Sequence, residues 1–426
     1  MLRNVVTEFS DIFDERIHPE GMIAPECKIE VKPGAVLKHS GAPHTNKRKK
    51  KVVAKLIKQM LRGNVIVKIS NPQITSPMLL VEKKDTTFRL VVNYKALNQQ
   101  TKAYSYPLPN TKELIHNVGG HKYYGVIDAR SGYWQLPLQK QSQRLTAFRC
   151  HKGTFAFTKC PMGFKNSAAY YQQAMEFVLG DLVDDICWVY QDDIICVGDT
   201  QEEFVQNLRR VFKRLNEHNV RLKASKAKLG LTELDFLGYR LSSRGHEPTL
   251  AYKQGLLNLK PPRTTSQART YCGLINFIRS WLPSLASIVA PITSLCSPNK
   301  PFAWSDECQN AFDAVRGLIE QASILYHADL EKQLYIRTDA SDVGGGAFLY
   351  QRDADNSVLP IAFASWKWSG AQLNYGIQQK ELLAAVKALK EFKHLAWGAD
   401  VVLMIDNANL LACMESSNPR VQRWAF

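Results

Sequence analysis

The chain has 426 residues, 45% of them hydrophobic, and a formal net charge of +16. That length holds two to four structural units with ample core, and the positive surplus suits a surface that tracks a polyanion. No apolar run approaches the roughly 18 residues a membrane span needs, and Glu8, Asp11, Asp14 and Glu15 break up the N-terminus, so a span and a signal peptide are both excluded and an intracellular protein is expected.

In chain order, residues 1–45 read as a lead-in segment that packs outside the next unit. Between Lys38 and Lys68 come ten Lys or Arg and no acid, including Lys47-Arg48-Lys49-Lys50-Lys51. This block suits a solvated helix start, a nuclear-import patch or direct nucleic-acid contact. Tyr123-Tyr124-Gly125-Val126-Ile127-Asp128 is a β-prone run that ends in an aspartate, and Ala129-Arg130-Ser131-Gly132 follows as a turn. Ile186-Cys187-Trp188-Val189 and Ile194-Ile195-Cys196-Val197 flank Tyr190-Gln191-Asp192-Asp193 as two buried strands around a hairpin tip, whereas Asp184-Asp185 upstream read as solvated turn residues. Thr200-Gln201-Glu202-Glu203 is a capping-box signature, and Phe204, Leu208, Val211, Phe212 and Leu215 repeat at helical spacing behind it. This helix would support the hairpin from beneath, with Arg209, Arg210, Lys213 and Arg214 on a solvated outer face. Lys260-Pro261-Pro262 marks a break before amphipathic helices from Thr265 to about Ile324. Residues 334–339, 346–350 and 359–364 then read as three strands, with a helix over about 378–397 and a fourth strand over 401–406. The nine cysteines show no C-x-x-C pair and no zinc-like histidine spacing, and read as buried, reduced thiols.

Adjacent carboxylates between two apolar strands repel each other and resist desolvation, so Asp192 and Asp193 need compensating charge. Two divalent cations would supply it if Asp128 came from a neighbouring strand, an arrangement suited to phosphoryl transfer. Each aspartate alone is an ordinary strand end. In the last unit, aspartates 339 and 406 close the first and fourth strands, so strands lying side by side would bring both carboxylates to one sheet edge. Glu381 shares a helix face with Ala384, Ala385 and Ala388, which let a helix approach a sheet closely. Read alone, Glu381 is a solvated residue beside Lys380.

From about Phe9 onward the chain resembles the reverse transcriptase and ribonuclease H part of a gypsy-type LTR retrotransposon polyprotein. The resemblance is carried by 70–77 with 81–85, 88–98, 128–133, Thr146-Ala147-Phe148-Arg149, Cys160-Pro161-Met162-Gly163-Phe164, the Asp192-Asp193 pair and Phe236-Leu237-Gly238-Tyr239, in the family's order. It implies an α+β multidomain fold, a right-hand polymerase followed by an α/β ribonuclease H-like fold. The expected division is 1–45 lead-in, 46–241 fingers and palm, 242–331 thumb and tether helices, and 332–426 a truncated ribonuclease H-like domain.

The resemblance further implies an RNA- and DNA-directed DNA polymerase. Asp128, Asp192 and Asp193 would hold two Mg2+ ions, replaceable by Mn2+, with the Ala129 carbonyl completing one site. Arg89, with Lys83 or Lys84, would contact the triphosphate, Tyr133 would stack under the incoming sugar beside Met162, and Lys226 would protonate pyrophosphate. Leu237-Gly238 would grip the primer end. Asp339, Glu381 and Asp406 match three metal carboxylates of ribonuclease H. Expected partners are an RNA template, DNA primer and product, RNA/DNA hybrid and dNTPs, with other polyprotein-derived chains such as protease or integrase, or a second copy, also in view. The expected place is a cytoplasmic particle or the nucleus, with no membrane. The alternative reading is a non-catalytic, nucleic-acid-binding retroelement relic. Two departures stand out. Position 162 carries Met where the family has Phe or Gln, and the chain stops at Trp424-Ala425-Phe426, before the family's fourth metal aspartate. Glu415 follows Asp406 too soon to replace it, so weak or absent ribonuclease H activity is expected, from a fragment, a processed product or a truncated gene.

Overall fold

The computed structural model describes residues 1–42, 46–82, 86–298 and 301–405, and divides into two compact units, 1–232 and 233–426. In the first unit, helix α1 (Lys47–Arg62) starts where Asn46 Oδ1 accepts the Lys49 amide, and it buries Val53, Ile57 and Met60 while the lysines of its first turns stay exposed. Strands β1 (Met78–Glu82) and β2 (Phe88–Val92) form an antiparallel ribbon. The central sheet takes β3 (Tyr123–Asp128), β4 (Cys187–Tyr190), β5 (Asp193–Gly198) and β6 (Lys228–Leu231) in the order β4-β5-β3-β6, all antiparallel. Its register sets Asp128 directly opposite Asp193 and closes the β4–β5 hairpin on Tyr190 opposite Asp193.

Two helices cover this sheet, α2 (Ser167–Leu179) and α3 (Gln201–Glu217). The predicted cap of α3 forms, with Thr200 Oγ1 accepting the Glu203 amide. Glu203 Oε2 accepts from the Asp199 amide instead of closing the box on Thr200. The basic outer side of α3 is largely ion-paired: Arg209 meets Glu8 at 3.1 Å and Arg214 meets Asp181 at 2.8 Å. The lead-in segment differs from expectation. Its first part lies on α3, with Val5 and Ile12 buried and Phe9 and Phe13 edge-on to Phe212, because these apolar residues recur along two short helical stretches, Leu2–Glu8 and Ser10–Phe13, and cover the apolar side of α3.

In the second unit, β7 (Glu233–Phe236), β8 (Tyr239–Ser242), β9 (Gly245–Pro248) and β10 (Leu325–Tyr326) make one antiparallel sheet. The amphipathic stretch forms α4 (Thr265–Phe277), α5 (Leu285–Ile288) and α6 (Asp306–Gln321) among shorter turns. Strands β11 (Leu334–Ala340), β12 (Gly344–Arg352), β13 (Val358–Lys367) and β14 (Val401–Ile405) form the last sheet in the order β13-β12-β11-β14, with β14 parallel to β11 as anticipated. Helix α7 (Ile377–Glu391) packs Ala384, Leu383 and Ala388 on its buried side. The predicted helix is interrupted at Phe392, which is 2% exposed and caps α7, before a short turn at Lys393–Ala396. All eight cysteines among the described residues are free, and no described helix is long and apolar enough to cross a membrane.

Glycines let α3 approach the sheet. A Cβ on Gly198 would lie 2.6 Å from the Phe204 backbone nitrogen, and one on Gly125 would lie 2.9 Å from the Phe204 ring. Gly198→Ala should therefore cost about 1–3 kcal/mol through overpacking against backbone that cannot step aside, read as a lower midpoint in urea unfolding followed by circular dichroism. An unchanged midpoint would contradict the close packing of α3.

Candidate active site

Asp128 ends β3, Asp193 begins β5 and Asp192 occupies the turn between β4 and β5, so one sheet edge carries all three carboxylates. The turn is bent into place at Gln191, whose φ of +54° is a left-handed position that a non-glycine residue adopts at a cost. Gln172, a fully buried residue of α2, holds it: its Oε1 accepts the Gln191 amide at 2.8 Å and its Nε2 donates to the Val189 carbonyl at 2.9 Å. A second buried glutamine braces the other side. Gln135 Nε2 donates to the carbonyls of Arg130 and Arg221, both at 2.8 Å, and its Oε1 accepts the Arg221 amide at 2.6 Å. The turn at Gln191 and the one at Ser131, whose φ is +53°, are thus over-determined by buried amides, as strained sites require. Neither glutamine stood out in the sequence, although Gln135 is a lone amide inside Tyr133-Trp134-Gln135-Leu136-Pro137-Leu138; Gln172 is one of a pair with Gln173, and nothing local marks it as the buried one.

Gly132 makes room for Asp192. A Cβ there would lie 2.1 Å from Asp192 Oδ1 and 2.9 Å from Tyr171. That oxygen is buried and has no hydrogen-bond partner among the described residues, as does the neighbouring Tyr171 hydroxyl. Burial, and then the charges of Asp128 and Asp193, push the Asp192 carboxyl up to about 6, with Lys226 acting in the opposite direction. Burial and Asp128 raise Asp193 as well. Lys226 Nζ donates to Asp128 Oδ2 and is the cation nearest the cluster among the described groups that act on it. Tyr133 lies edge-on to Tyr171 at 5.3 Å, and its hydroxyl reaches Gln191 at 3.4 Å; burial, Asp192 and Cys160 raise that hydroxyl to about 12.

Three carboxylates against one ammonium leave net negative charge around an orphaned buried oxygen, which is the chemistry of a divalent-cation site. Among the described residues no three His, Cys, Asp or Glu groups converge as a finished metal cage; Asp128 is engaged by Lys226 instead.

Arg89 and Met162 meet at a cavity of about 1070 Å³ that also reaches Ser131 and Trp134. Lys83 and Lys84 lie outside the described residues. Leu237 and Gly238 form the β7–β8 turn in the second unit with φ of +48° and +89°, and a Cβ on Gly238 would lie 3.0 Å from Phe277. Asp339 is exposed near the end of β11, while Glu381 is 7% exposed on the buried side of α7, which also carries Ala384, Ala385 and Ala388. Thr338 pairs with Ile405, and Asp406, like Glu415, lies outside the described residues.

Because Asp192 is easier to protonate when folded, its contribution to stability is full below the unfolded carboxylate range near 4 and is lost as pH rises through about 6. In chelator at pH 7.5, Asp192→Asn should raise the melting temperature by about 2–5 °C, with the gain shrinking as pH falls to 4. A variant no more stable than the parent at pH 7.5 would show that the carboxylate is not under electrostatic strain.

Residues 81–241 match the family model for reverse transcriptase (RNA-dependent DNA polymerase), and residues 304–403 match that for the RNase H-like domain found in reverse transcriptase. The Tf2-3 and Tf2-7 transposon polyproteins of Schizosaccharomyces pombe are each 29% identical over 374 residues, covering 86% of this chain and 28% of the polyprotein. The chain therefore spans little more than a quarter of the length of these relatives. Two solved structures share its fold at 24% identity: the foamy viral protease-reverse transcriptase in complex with dsDNA, with a TM-score of 0.85 over 99% of this chain and 90% of that one, and the same enzyme in complex with RNA/DNA hybrid, with a TM-score of 0.78 over 100% and 58%. The chain thus carries a reverse transcriptase domain followed by an RNase H-like domain, and over 86% of its length it is similar to LTR-type transposon polyproteins such as those of Tf2.

Proposed function

We propose that this chain is an RNA- and DNA-directed DNA polymerase whose nucleotidyl transfer depends on Asp128, Asp192 and Asp193. The observation that carries the reading is the half-buried Asp192 carboxylate, with an unpartnered oxygen, beside two further aspartates on one sheet edge. These residues would hold two Mg2+ ions, or Mn2+ in their place, with the Ala129 carbonyl contributing to one of them. Such ions activate the attacking hydroxyl and stabilise the leaving oxygen in phosphoryl transfer. The protein's own groups do the rest. Arg89 presents a fork that matches phosphate oxygens, with Lys83 or Lys84 nearby in sequence. Tyr133, held against Tyr171 and Gln191, would supply a ring under the sugar, and Met162, which lines the cavity with Arg89, would also face the nucleotide. Lys226, released from Asp128, would hand its proton to departing pyrophosphate.

The same proposal divides the chain into a lead-in segment, fingers and palm to about residue 241, thumb and tether helices to about 331, and a ribonuclease H-like domain beyond. Leu237 and Gly238 would contact the primer end, and Asp339, Glu381 and Asp406 would be metal carboxylates for RNA/DNA-hybrid cleavage. The template, primer and hybrid partners are supported by the foamy viral enzyme, solved with dsDNA and with RNA/DNA hybrid, and by the +16 charge of this chain.

Primer extension on an RNA template, with dNTPs and then with rNTPs, tests the reading. Asp192→Asn should lower extension by at least about a thousandfold while primer–template affinity is kept; extension near the parent rate would remove Asp192 from the mechanism. Tyr133→Val should raise ribonucleotide over deoxyribonucleotide insertion by about tenfold or more, because the ring leaves no room for a 2′-hydroxyl. An unchanged ratio in competitive single-nucleotide insertion would assign sugar choice to another residue.

A further inference from the structure

The cavity beside Arg89 has a second end that the polymerase reading does not use. Arg16, Arg62, Arg89, Arg130 and Arg221 line it, against only Asp14 and Glu15 as acids, a surplus of three positive charges (five less two). Arg130 and Arg221 are neighbours by backbone: the Arg130 amide donates to the Arg221 carbonyl at 2.9 Å, and Gln135 bonds to both carbonyls. Both residues therefore line the cavity from one braced pair of segments.

Their charge is poorly answered by the protein. Arg221 Nη1 is buried and has no hydrogen-bond partner among the described residues. Arg130 approaches Glu15 only at 3.9 Å, beyond hydrogen-bonding range, and that Glu15 side chain is 88% exposed. Asp14 bonds to Arg16, with contacts of 2.8 Å to its amide and 3.1 Å to its guanidinium, and its charge reaches Arg221 only as a weaker, through-space attraction. A buried guanidinium nitrogen without an acceptor is costly, and a doubly charged oxyanion is the ligand that two adjacent forks match.

We propose that the Arg130–Arg221 end of the cavity binds inorganic pyrophosphate, with Glu15 as the displaceable anion that occupies its rim when no phosphate is bound. This rests on the polymerase reading, which makes pyrophosphate the product leaving this side of the site. Release would then proceed from Arg89 to a second arginine position, and binding would be weakened by the lead-in segment that carries Glu15.

The test titrates inorganic pyrophosphate into the full chain by calorimetry without divalent metal, so that its outcome does not depend on catalysis. Arg130→Gln and Arg221→Gln should each weaken binding about tenfold, Arg221→Lys should weaken it less, and Glu15→Gln, a change at an exposed side chain, should tighten it about threefold. Melting curves show whether each variant is folded, and Glu15→Gln keeps the test decisive if an arginine variant is not. Absence of binding to the parent chain, or loss of binding only in Arg89→Gln, would overturn the proposal. So would arginine variants that bind pyrophosphate normally but a single-stranded oligothymidylate less well, since that would make the cavity a phosphodiester contact. A chain that extends primers and fails this titration sinks this inference alone; one that binds pyrophosphate here and does not extend primers sinks the polymerase reading.

Discussion

Like charge held at one sheet edge is the constraint on which the first unit depends. Asp128 and Asp193 face each other across β3 and β5, and Asp192 adds a third carboxylate in the turn. Carboxylates directly opposite each other in a sheet repel, and burial makes Asp192 worse. Stability alone would select neutral residues here. What keeps the arrangement is the surrounding framework: apolar strands on both sides of the turn, α3 pressed against Gly125 and Gly198, and two buried glutamines holding the two turns by their backbone. Lys226 offsets part of the charge in the protein by itself, and a site that needs more positive charge than its own residues supply is one prepared for cations.

The same logic runs through the adjoining cavity with the sign reversed. Arginines outnumber acids there, and one of their nitrogens lacks an acceptor. A carboxylate edge short of cations and an arginine-lined cavity short of anions are the two features on which the proposed polymerase reading rests. Glu15 and Lys226 act as internal substitutes at the two poles, and both are loosely enough held, exposed by 88% and 53%, to be displaced.

Much of this was legible in the sequence, where local pattern is strong. The hairpin showed itself because two apolar runs bracket four polar residues, β3 because it ends on an aspartate before a turn, and α3 because Thr200 and Glu203 mark its start. The elements of the last unit followed from pattern, but their order in the sheet did not; the sequence offered the first and fourth strands side by side only as a condition, which the structure meets. Contacts between distant segments were not legible. Nothing near Lys226 indicates that it meets Asp128, 98 residues away, and nothing near Gln172 indicates that its amide closes a turn 19 residues on. Glu381, read alone, looked solvated because it is charged and sits beside Lys380, yet both are buried on the side of α7 that carries Ala384, Ala385 and Ala388. The end of α7 at Phe392 has no glycine or proline to announce it; burial of that ring fixes it. The first part of the lead-in segment was placed outside the fingers because the sequence does not say which surface its few apolar residues cover.

The account stands on cations relieving the repulsion among Asp128, Asp192 and Asp193. Thermal unfolding at pH 7.5 over a range of Mg2+ or Mn2+ concentrations, for the parent chain and an Asp128→Asn/Asp192→Asn double variant, measures that relief directly. A ligand that binds only the folded state raises the melting temperature with its concentration. The parent should therefore gain stability with metal until saturation, and the double variant should lose most of that gain while starting from a higher melting temperature in chelator. Equal gains in the two proteins would contradict the account, because the metal would then be acting somewhere other than these carboxylates.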